Sequence, residues 1–371
     1  MSESVQPNQA GKLPERAWWL AMKQVPHIGP GRFRVLLEHF GSIEMAWHAP
    51  AHQLHALLDA RSIDELLPLR ERLNVAELYE RSTRNGVSVF CWEDEEYPTL
   101  LREIPAPPPL IYCRGKLQQT DDVAVAIVGT RRATAYGREQ AWRMAYDLAQ
   151  AGVTIVSGLA LGVDGVAHRA ALEAGGRTIA VLGSGIDVIY PGSHRDLATR
   201  IAEQGAVVTD YPPGTKPDRF NFPPRNRIIS GLSLGVVVIE APDRSGALLT
   251  VNFAAEQGRD AFAVPGPVGA PASEGCLRII REGATMVRDA ADVLEDLHIR
   301  RNTVASEPVQ TTLPISDADR HLLAVLTSQP QHIDDIAEKM ARSVPEVSGH
   351  LMMLELQGMA KSTGAGYYIR T

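Results

Sequence analysis

The sequence predicts an α/β protein built on a doubly wound parallel sheet, with a helical region before it and a winged helix after it. Three observations carry this reading. Six short runs rich in β-branched and small apolar residues recur between residues 123 and 266, apolar at nearly every position, as in strands covered on both faces. Helix-length segments follow them, and a strand–helix–strand alternation folds as a parallel sheet. The runs end in polar, glycine-rich stretches, the composition of the carboxyl edge where such sheets bind their ligands.

Residues 1–14 are polar and are read as a disordered tail, followed by a helical domain over 15–84. Inside it, VPHIGPGRFRVLLEHFGS (25–42) has the form of a helix-hairpin-helix. An apolar turn with Gly29 and Gly31 leads into a helix carrying Phe33, Leu36, Leu37 and Phe40 on one face. Amides at that helix start can hold a DNA phosphate. Plain helix packing is the favoured alternative, because only His27, Arg32 and Arg34 bring positive charge. The proline-rich IPAPPPLIYCRG (104–115) is extended and joins the helical domain to the core, assigned to 85–298.

The expected core strands are VAVAIVG (123–129), VTIVSG (153–158), TIAVLG (178–183), AVVTDY (206–211), LGVVVIEA (234–241) and DAFAVPG (260–266). Helices are expected over 137–151, 164–174 and 246–257. Residues 299–316 are patternless and read as a linker. The last unit, 317–371, runs through three short amphipathic helices into AKSTGAGYYIR, a two-stranded wing. Its third helix carries Glu346, His350 and Glu355 with hardly any basic charge, which favours a protein-interaction or structural role over DNA contact.

Composition bounds the function. The chain has 371 residues, 44% hydrophobic and 22% charged, with a net charge of −7. Such a balance excludes a general nucleic-acid-coating protein, so any such binding must be local. Cys91, Cys113 and Cys276 are odd in number and the nearest two lie 22 positions apart, which excludes a CxxC pair or zinc knuckle and fits a reducing compartment. The first residues lack the apolar core of a secretory signal, and no apolar run approaches the ~18 residues of a membrane span. A cytoplasmic protein with no membrane contact is expected.

The local exception is GTKPDRFNFPPRNRIISG (214–231), where Lys216, Arg219, Arg225 and Arg227 face one acid, Asp218, and are interleaved with Phe220 and Phe222. Cations take phosphates and flat rings offer stacking faces, a pairing suited to single-stranded nucleic acid. The other strand ends are glycine-rich: Gly129-Thr130-Arg131, Ser157-Gly158, Gly183-Ser184-Gly185 and Ser245-Gly246. These loops are expected to accept phosphate on backbone N–H groups, with Arg131 on the same edge.

Several enzyme classes are not supported. Only Gly129 and Gly137 follow the first strand, not G-x-G-x-x-G, and there is no G-x-x-x-x-G-K-[ST]. Ser157 and Ser245 lie in no nucleophile elbow. Asp164 and His168 are one helical turn apart and can pair; Asp187, Asp210 and Glu240 sit at strand ends, where loop fixing is favoured over catalysis or metal binding. No catalytic residue, cofactor or metal ligand is assigned.

Six strings together resemble the DprA/Smf family of bacterial DNA-processing proteins: GTRRATAYG (129–137), SGLALGVDGVAH (157–168), GSGIDVIYP (183–191), FPPRNRIISGLS (222–233), EAPDRSGALLT (240–250) and AVPG (263–266). The resemblance implies an extended Rossmann-like domain that binds single-stranded DNA, loads the RecA recombinase in natural transformation and forms a homodimer. It also implies the flanking sterile-alpha-motif-like or helix-hairpin-helix and winged-helix domains. By motif, Arg131, Lys216, Arg219, Arg225 and Arg227 contact phosphate and Phe220 stacks on a base. Asn226 belongs to the same site and holds its loop by bonding backbone, while Phe222 packs beneath. Two departures are Thr209-Asp210 for a usual Ser-Glu and Leu277 for a usual Asn. The dimer interface is looked for on 247–258 and the segment after it. The rival reading is a nucleotide-acting enzyme like the Rossmann-type phosphoribohydrolases. Their PGGxGTxxE stretch is matched here only by a Gly, a Thr and Glu256 in EAPDRSGALLTVNFAAE.

Overall fold

The computed structural model describes residues 13–299, 317–327, 329–356, 359–364 and 366–370. Most of the expected tail and nearly all of the expected linker lie outside these residues. The described chain falls into two compact units that meet in sequence at 302/303.

The first unit is a nine-stranded sheet: β1 (Val87–Cys91), β2 (Leu110–Gly115), β3 (Ala124–Val128), β4 (Thr154–Ser157), β5 (Thr178–Val181), β6 (Ala206–Thr209), β7 (Gly235–Val238), β8 (Asp260–Ala263) and β9 (Thr285–Met286). The spatial order is β1-β2-β6-β5-β4-β3-β7-β8-β9. From β3 to β9 every pairing is parallel; β2 is antiparallel to β6 and to β1. The six expected strands are the parallel core. The remaining three are additions to that expectation: 110–115 reads in the sequence only as extended, β9 has two residues, and β1 (VSVFC) carries a strand pattern that the sequence reading passes over.

The two faces separate by residue parity, as a strand's period of two requires. Ala124, Ala126 and Val128 pack with Ile228 and Ile229 of helix Phe222–Gly231 and with Leu248 and Val251 of helix Leu248–Glu256. Val125 and Ile127 face the other way, onto Met144 and Leu148 of helix Ala135–Gln150 and Ala167 and Ala171 of helix Val163–Glu173. Burial on both sides explains why these strands are apolar throughout.

The sequence β3 to β6 is laid down in one direction, and β7 then returns to the other side of β3. The crevice between the carboxyl ends of β3 and β7 is therefore the topological switch point, where ligands of open α/β sheets bind.

The N-terminal helices share one core with the sheet. Trp19, Phe33 and Leu36 belong to the same buried cluster as Val89, Tyr112 and Val207, and the Trp19 and Phe33 rings stack with centroids 5.5 Å apart. In the expected hairpin, the helix is Pro30–Phe40. Arg32 is consumed by Asp59, by Ser62 and by the His27 carbonyl, and Arg34 lies over the Trp92 ring. That arrangement fits the packing alternative. All three cysteines are buried and free, with their thiols pushed up by burial, Cys113 to about 12 and Cys276 to about 11.

The second unit has helices Asp317–Val325, Ile333–Met340 and Val344–Leu356 and a three-stranded sheet in which β12 (Tyr367–Arg370) lies between β10 (Gln331–His332) and β11 (Ala360–Gly364). Leu322, Ile336, Leu351 and Leu354 form its core. The third helix exposes Met352 and Met353, while its His350 bonds Asp319 at 2.6 Å.

Because Phe33 lies in the core shared by helices and sheet, Phe33→Ala should destabilise the whole first unit by roughly 3–5 kcal/mol. Tryptophan fluorescence and far-ultraviolet circular dichroism should then report one coincident transition at lower denaturant. A helical region that unfolds separately would show the core to be divided.

Candidate nucleic-acid interface

At the switch point lies a cleft of about 700 Å³, within the range of small-ligand sites. Its walls come from the loops after β3 and β7 and from the start of helix Phe222–Gly231. Each wall is fixed by a buried polar group. Glu240, 3% exposed, accepts from the Thr134 N–H at 2.8 Å and from the Thr134 hydroxyl at 2.7 Å. Thr134 in turn caps helix Ala135–Gln150 by accepting from the Gly137 N–H. The Thr130 N–H donates to the Glu240 carbonyl at 2.7 Å. One carboxylate thus ties the β3 loop to the end of β7.

The basic island divides at Phe222: Lys216, Arg219 and Phe220 lie in an irregular segment, and a helix begins at Phe222. Pro223 and Pro224 occupy the first turn, where their fixed φ and missing N–H cost nothing. This places the four cations of 214–231 in different roles. Arg219 and Lys216 are exposed, with Arg219 lining the cleft and lying 4.7 Å over the Phe220 ring. Phe220 is 69% exposed, a ring presented to solvent. Lys216 and Phe220 stand beside the cleft rather than in its lining.

Two expected phosphate contacts are corrected. Arg225 is 5% exposed and donates to the carbonyls of Gly158, at 2.7 Å, and Val181, at the ends of β4 and β5. Burial pushes its pKa down to about 10, opposed by Asp164. Its guanidinium is spent on carbonyls that would otherwise be orphaned. A Cβ on Gly158 would stand 2.5 Å from that guanidinium, so a side chain there would push it off its carbonyls. Arg227 pairs with Asp210 at 2.7 Å and donates to the Ala106 carbonyl at 2.5 Å, tying the proline-rich entry segment to β6. Both arginines position the ledge instead of presenting charge. Asn226 donates to the Gly246 carbonyl at 3.2 Å, a backbone bond between the two walls.

The loops divide in the same way. Gly129, Thr130, Ser245 and Gly246 line the cleft. The other expected phosphate acceptors do not, because their groups are satisfied internally. The Ser157 hydroxyl donates to the Ile127 carbonyl, the Gly158 N–H to Asp164, the Ser184 hydroxyl to the Val188 carbonyl and the Gly185 N–H to the Thr215 carbonyl. Gly183 lies against Phe222, whose ring a Cβ there would meet at 2.7 Å. Phe222 packs beneath as expected, with Arg131 5.2 Å and Arg225 5.9 Å from its centroid.

Sequence reasoning passed over three lining residues. Arg132 and Arg244 are exposed cations on the cleft, and Tyr190, 48% exposed, adds a ring 6.0 Å from Phe222. Arg244 stands beside Ser245-Gly246 as Arg131 stands beside Gly129-Thr130, so the argument that found Arg131 would have found it. Arg131, Arg132, Arg219 and Arg244 therefore converge as exposed guanidiniums, and the one carboxylate of the lining is Asp164, on the floor.

Carboxylates elsewhere on this edge are engaged: Asp210 by Arg227 and Asp187 by the Gly214 N–H at 2.8 Å. Glu256 is exposed at the far end of helix Leu248–Glu256, outside the cleft lining. Asp164 and His168 do not pair. His168 is fully buried, with Nδ1 2.7 Å from the Thr178 hydroxyl and Nε2 without a partner.

A family model for DNA recombination-mediator protein A matches residues 88–298, and one for the DprA winged helix domain matches residues 306–366. The chain belongs to the DprA/Smf family. Protein Smf of Synechocystis is 35% identical over 96% of this chain and 99% of its own length. Protein Smf of Escherichia coli is 41% identical over 76% of this chain and 79% of its own. The crystal structure of DNA processing protein A from Streptococcus pneumoniae superposes with a TM-score of 0.69 at 34% identity, covering 77% of this chain and 98% of that one. A second DprA structure, from Helicobacter pylori, described for its single-stranded DNA binding mode, has a TM-score of 0.52 at 29% identity, covering 58% and 98%. Among the described residues, no helix of this DprA/Smf member is long and apolar enough to cross a membrane.

Two stability predictions follow from these contacts. Arg225→Met strands two buried carbonyls and the Asp164 charge, and should cost roughly 2–5 kcal/mol in urea unfolding. Arg131→Ala loses one exposed cation–ring contact and should cost no more than about 1 kcal/mol. For His168, burial depresses the imidazole from 6.5 to about 3, so between those values the unfolded chain binds a proton that the folded chain refuses. Stability should fall as pH drops through that window, by at most about 1.4 kcal/mol per pH unit for this group. His168→Leu should flatten that slope; an unchanged slope would place the acid sensitivity elsewhere.

Proposed function

We propose that this chain is a non-catalytic recombination mediator that binds single-stranded DNA at the β3/β7 cleft. One observation carries the reading: four open guanidiniums converge on the switch point of the sheet, and Asp164 is the single carboxylate among the lining residues. The strand's phosphates run along Arg131, Arg132, Arg219 and Arg244, with Lys216 beside them, and a base stacks on Phe220. The Gly129-Thr130 and Ser245-Gly246 loops border the same path, with the Thr130 and Ser245 amides already given to the Glu240 and Pro242 carbonyls. The Helicobacter pylori DprA structure, described for its single-stranded DNA binding mode, supports this reading.

The reading extends to two partners that family membership supports: the RecA recombinase, loaded onto the bound strand during natural transformation, and a second copy of the chain. Val268 and Met286, exposed apolar residues beyond helix Leu248–Glu256, are the surface proposed to be covered by that second copy.

Binding of labelled oligo-dT across a salt series tests the site. Arg131→Ala and Arg219→Ala should each lower the slope of log affinity against log salt by about 0.7. Phe220→Ala should weaken binding by roughly 1–3 kcal/mol and leave the slope unchanged. Unaltered affinity and slope in both arginine variants would remove the strand from this cleft. Release of free base from nucleoside monophosphates would instead favour a nucleotide-cleaving enzyme.

A further inference from the structure

The floor of the cleft holds a group that a pure phosphate site has no use for. Asp164 is 7% exposed and lines the cleft. Its Oδ2 accepts from the N–H groups of Gly158, at 3.2 Å, and Ala160, at 3.3 Å. Its Oδ1 takes no hydrogen bond from any described residue, yet is not among the sealed, unpartnered atoms of the interior. Its remaining exposure therefore opens into the cleft. Burial raises this carboxyl's pKa, against which Arg225, the two backbone donors and Arg131 act. A carboxylate held by two amides and flanked by two guanidiniums presents an acceptor, and an acceptor only.

Once a strand displaces the water of the cleft, an oxygen of this kind has to meet a donor, since leaving it dry and unpaired costs the desolvation of a charged group. A phosphate brings no donor and is repelled. Deoxyribose within a strand has no hydroxyl to offer. The part of a DNA strand that does carry N–H groups is the base. The rim cations fix the backbone above while Asp164 waits below, so a base turned inward from that backbone brings its edge to the floor.

We propose that Asp164 reads one inward-turned base through an exocyclic amino group, giving this cleft a preference for amino-bearing bases over thymine. The inference rests on the DNA-binding reading above and adds base discrimination to it. Cytosine presents a projecting N4 amine, the partner carboxylates use in base recognition. Thymine's single N–H lies between two carbonyl oxygens, which the carboxylate repels. Asp164→Asn is the informative substitution. Its amide oxygen can still accept from Gly158 and Ala160, while its NH₂ turns a donor toward the cleft.

The test compares labelled oligo-dC, oligo-dT and oligo-dC built from N4,N4-dimethylcytosine, in mildly alkaline buffer at one salt concentration. The wild-type protein should bind oligo-dC about fivefold more tightly than oligo-dT, and dimethylation should abolish that advantage. Asp164→Asn, checked by circular dichroism to be folded at the assay temperature, should lose or reverse the order. If that variant does not fold, the dimethylated strand on the wild-type protein decides alone. Equal binding of oligo-dC and oligo-dT, with Arg131→Ala still weakening both, overturns the base reading and leaves the DNA site standing. A preference for oligo-U over oligo-dU would move the donor to a ribose hydroxyl and also overturn it. Binding that ignores Arg131 altogether fails both readings at once.

Discussion

The buried guanidinium of Arg225 is the contact on which the rest of the edge depends. Parallel strands end in carbonyls that nothing in the sheet can satisfy, and at β4 and β5 those carbonyls belong to Gly158 and Val181. A cation brought in on helix Phe222–Gly231 satisfies both and draws the start of that helix over the strand ends. Phe222 is carried in with it, and Arg131 lies on the same ring. Asp164 offsets the cost of burying the charge. Helix, ring and loop thereby acquire one fixed arrangement.

Glu240 does the complementary job from the acidic side. Its carboxylate closes the β3 loop onto β7 through Thr134, so the two walls of the cleft cannot drift apart without exposing a buried charge. Asn226 adds a neutral tie between the walls. Charge at this edge is therefore sorted by depth: internal charges hold the backbone, and the external ones remain open.

That sorting marks the limit of what was legible in the sequence. Strands β3 to β8 could be read directly, because burial on both faces forces an apolar run that few other structures demand. The cleft's position followed, since loops after successive parallel strands share one edge. The role of each arginine did not follow. Arg219, Arg225 and Arg227 look alike in a string of letters, and only the start of the helix at Phe222 separates them: Arg219 stays outside it and exposed, while the helix buries Arg225 and gives Arg227 to Asp210. The string around Asn226 reads as a loop in the sequence, although the first turn of a helix accommodates its two adjacent prolines. Glycine-rich composition misled similarly at Gly158 and Gly183, where glycine makes room for a protein side chain rather than a ligand.

Joining the ledge to an anchored helix start has a thermodynamic corollary. Binding elements carried on floppy segments forfeit conformational freedom when they engage, and that forfeit is subtracted from affinity. Here the Arg227 tie to Asp210 and Ala106 anchors the same helix to β6 and to the segment entering the sheet. The receptor side arrives already stiff, so the entropic toll of association falls on the flexible polymer and on a few long side chains at the rim.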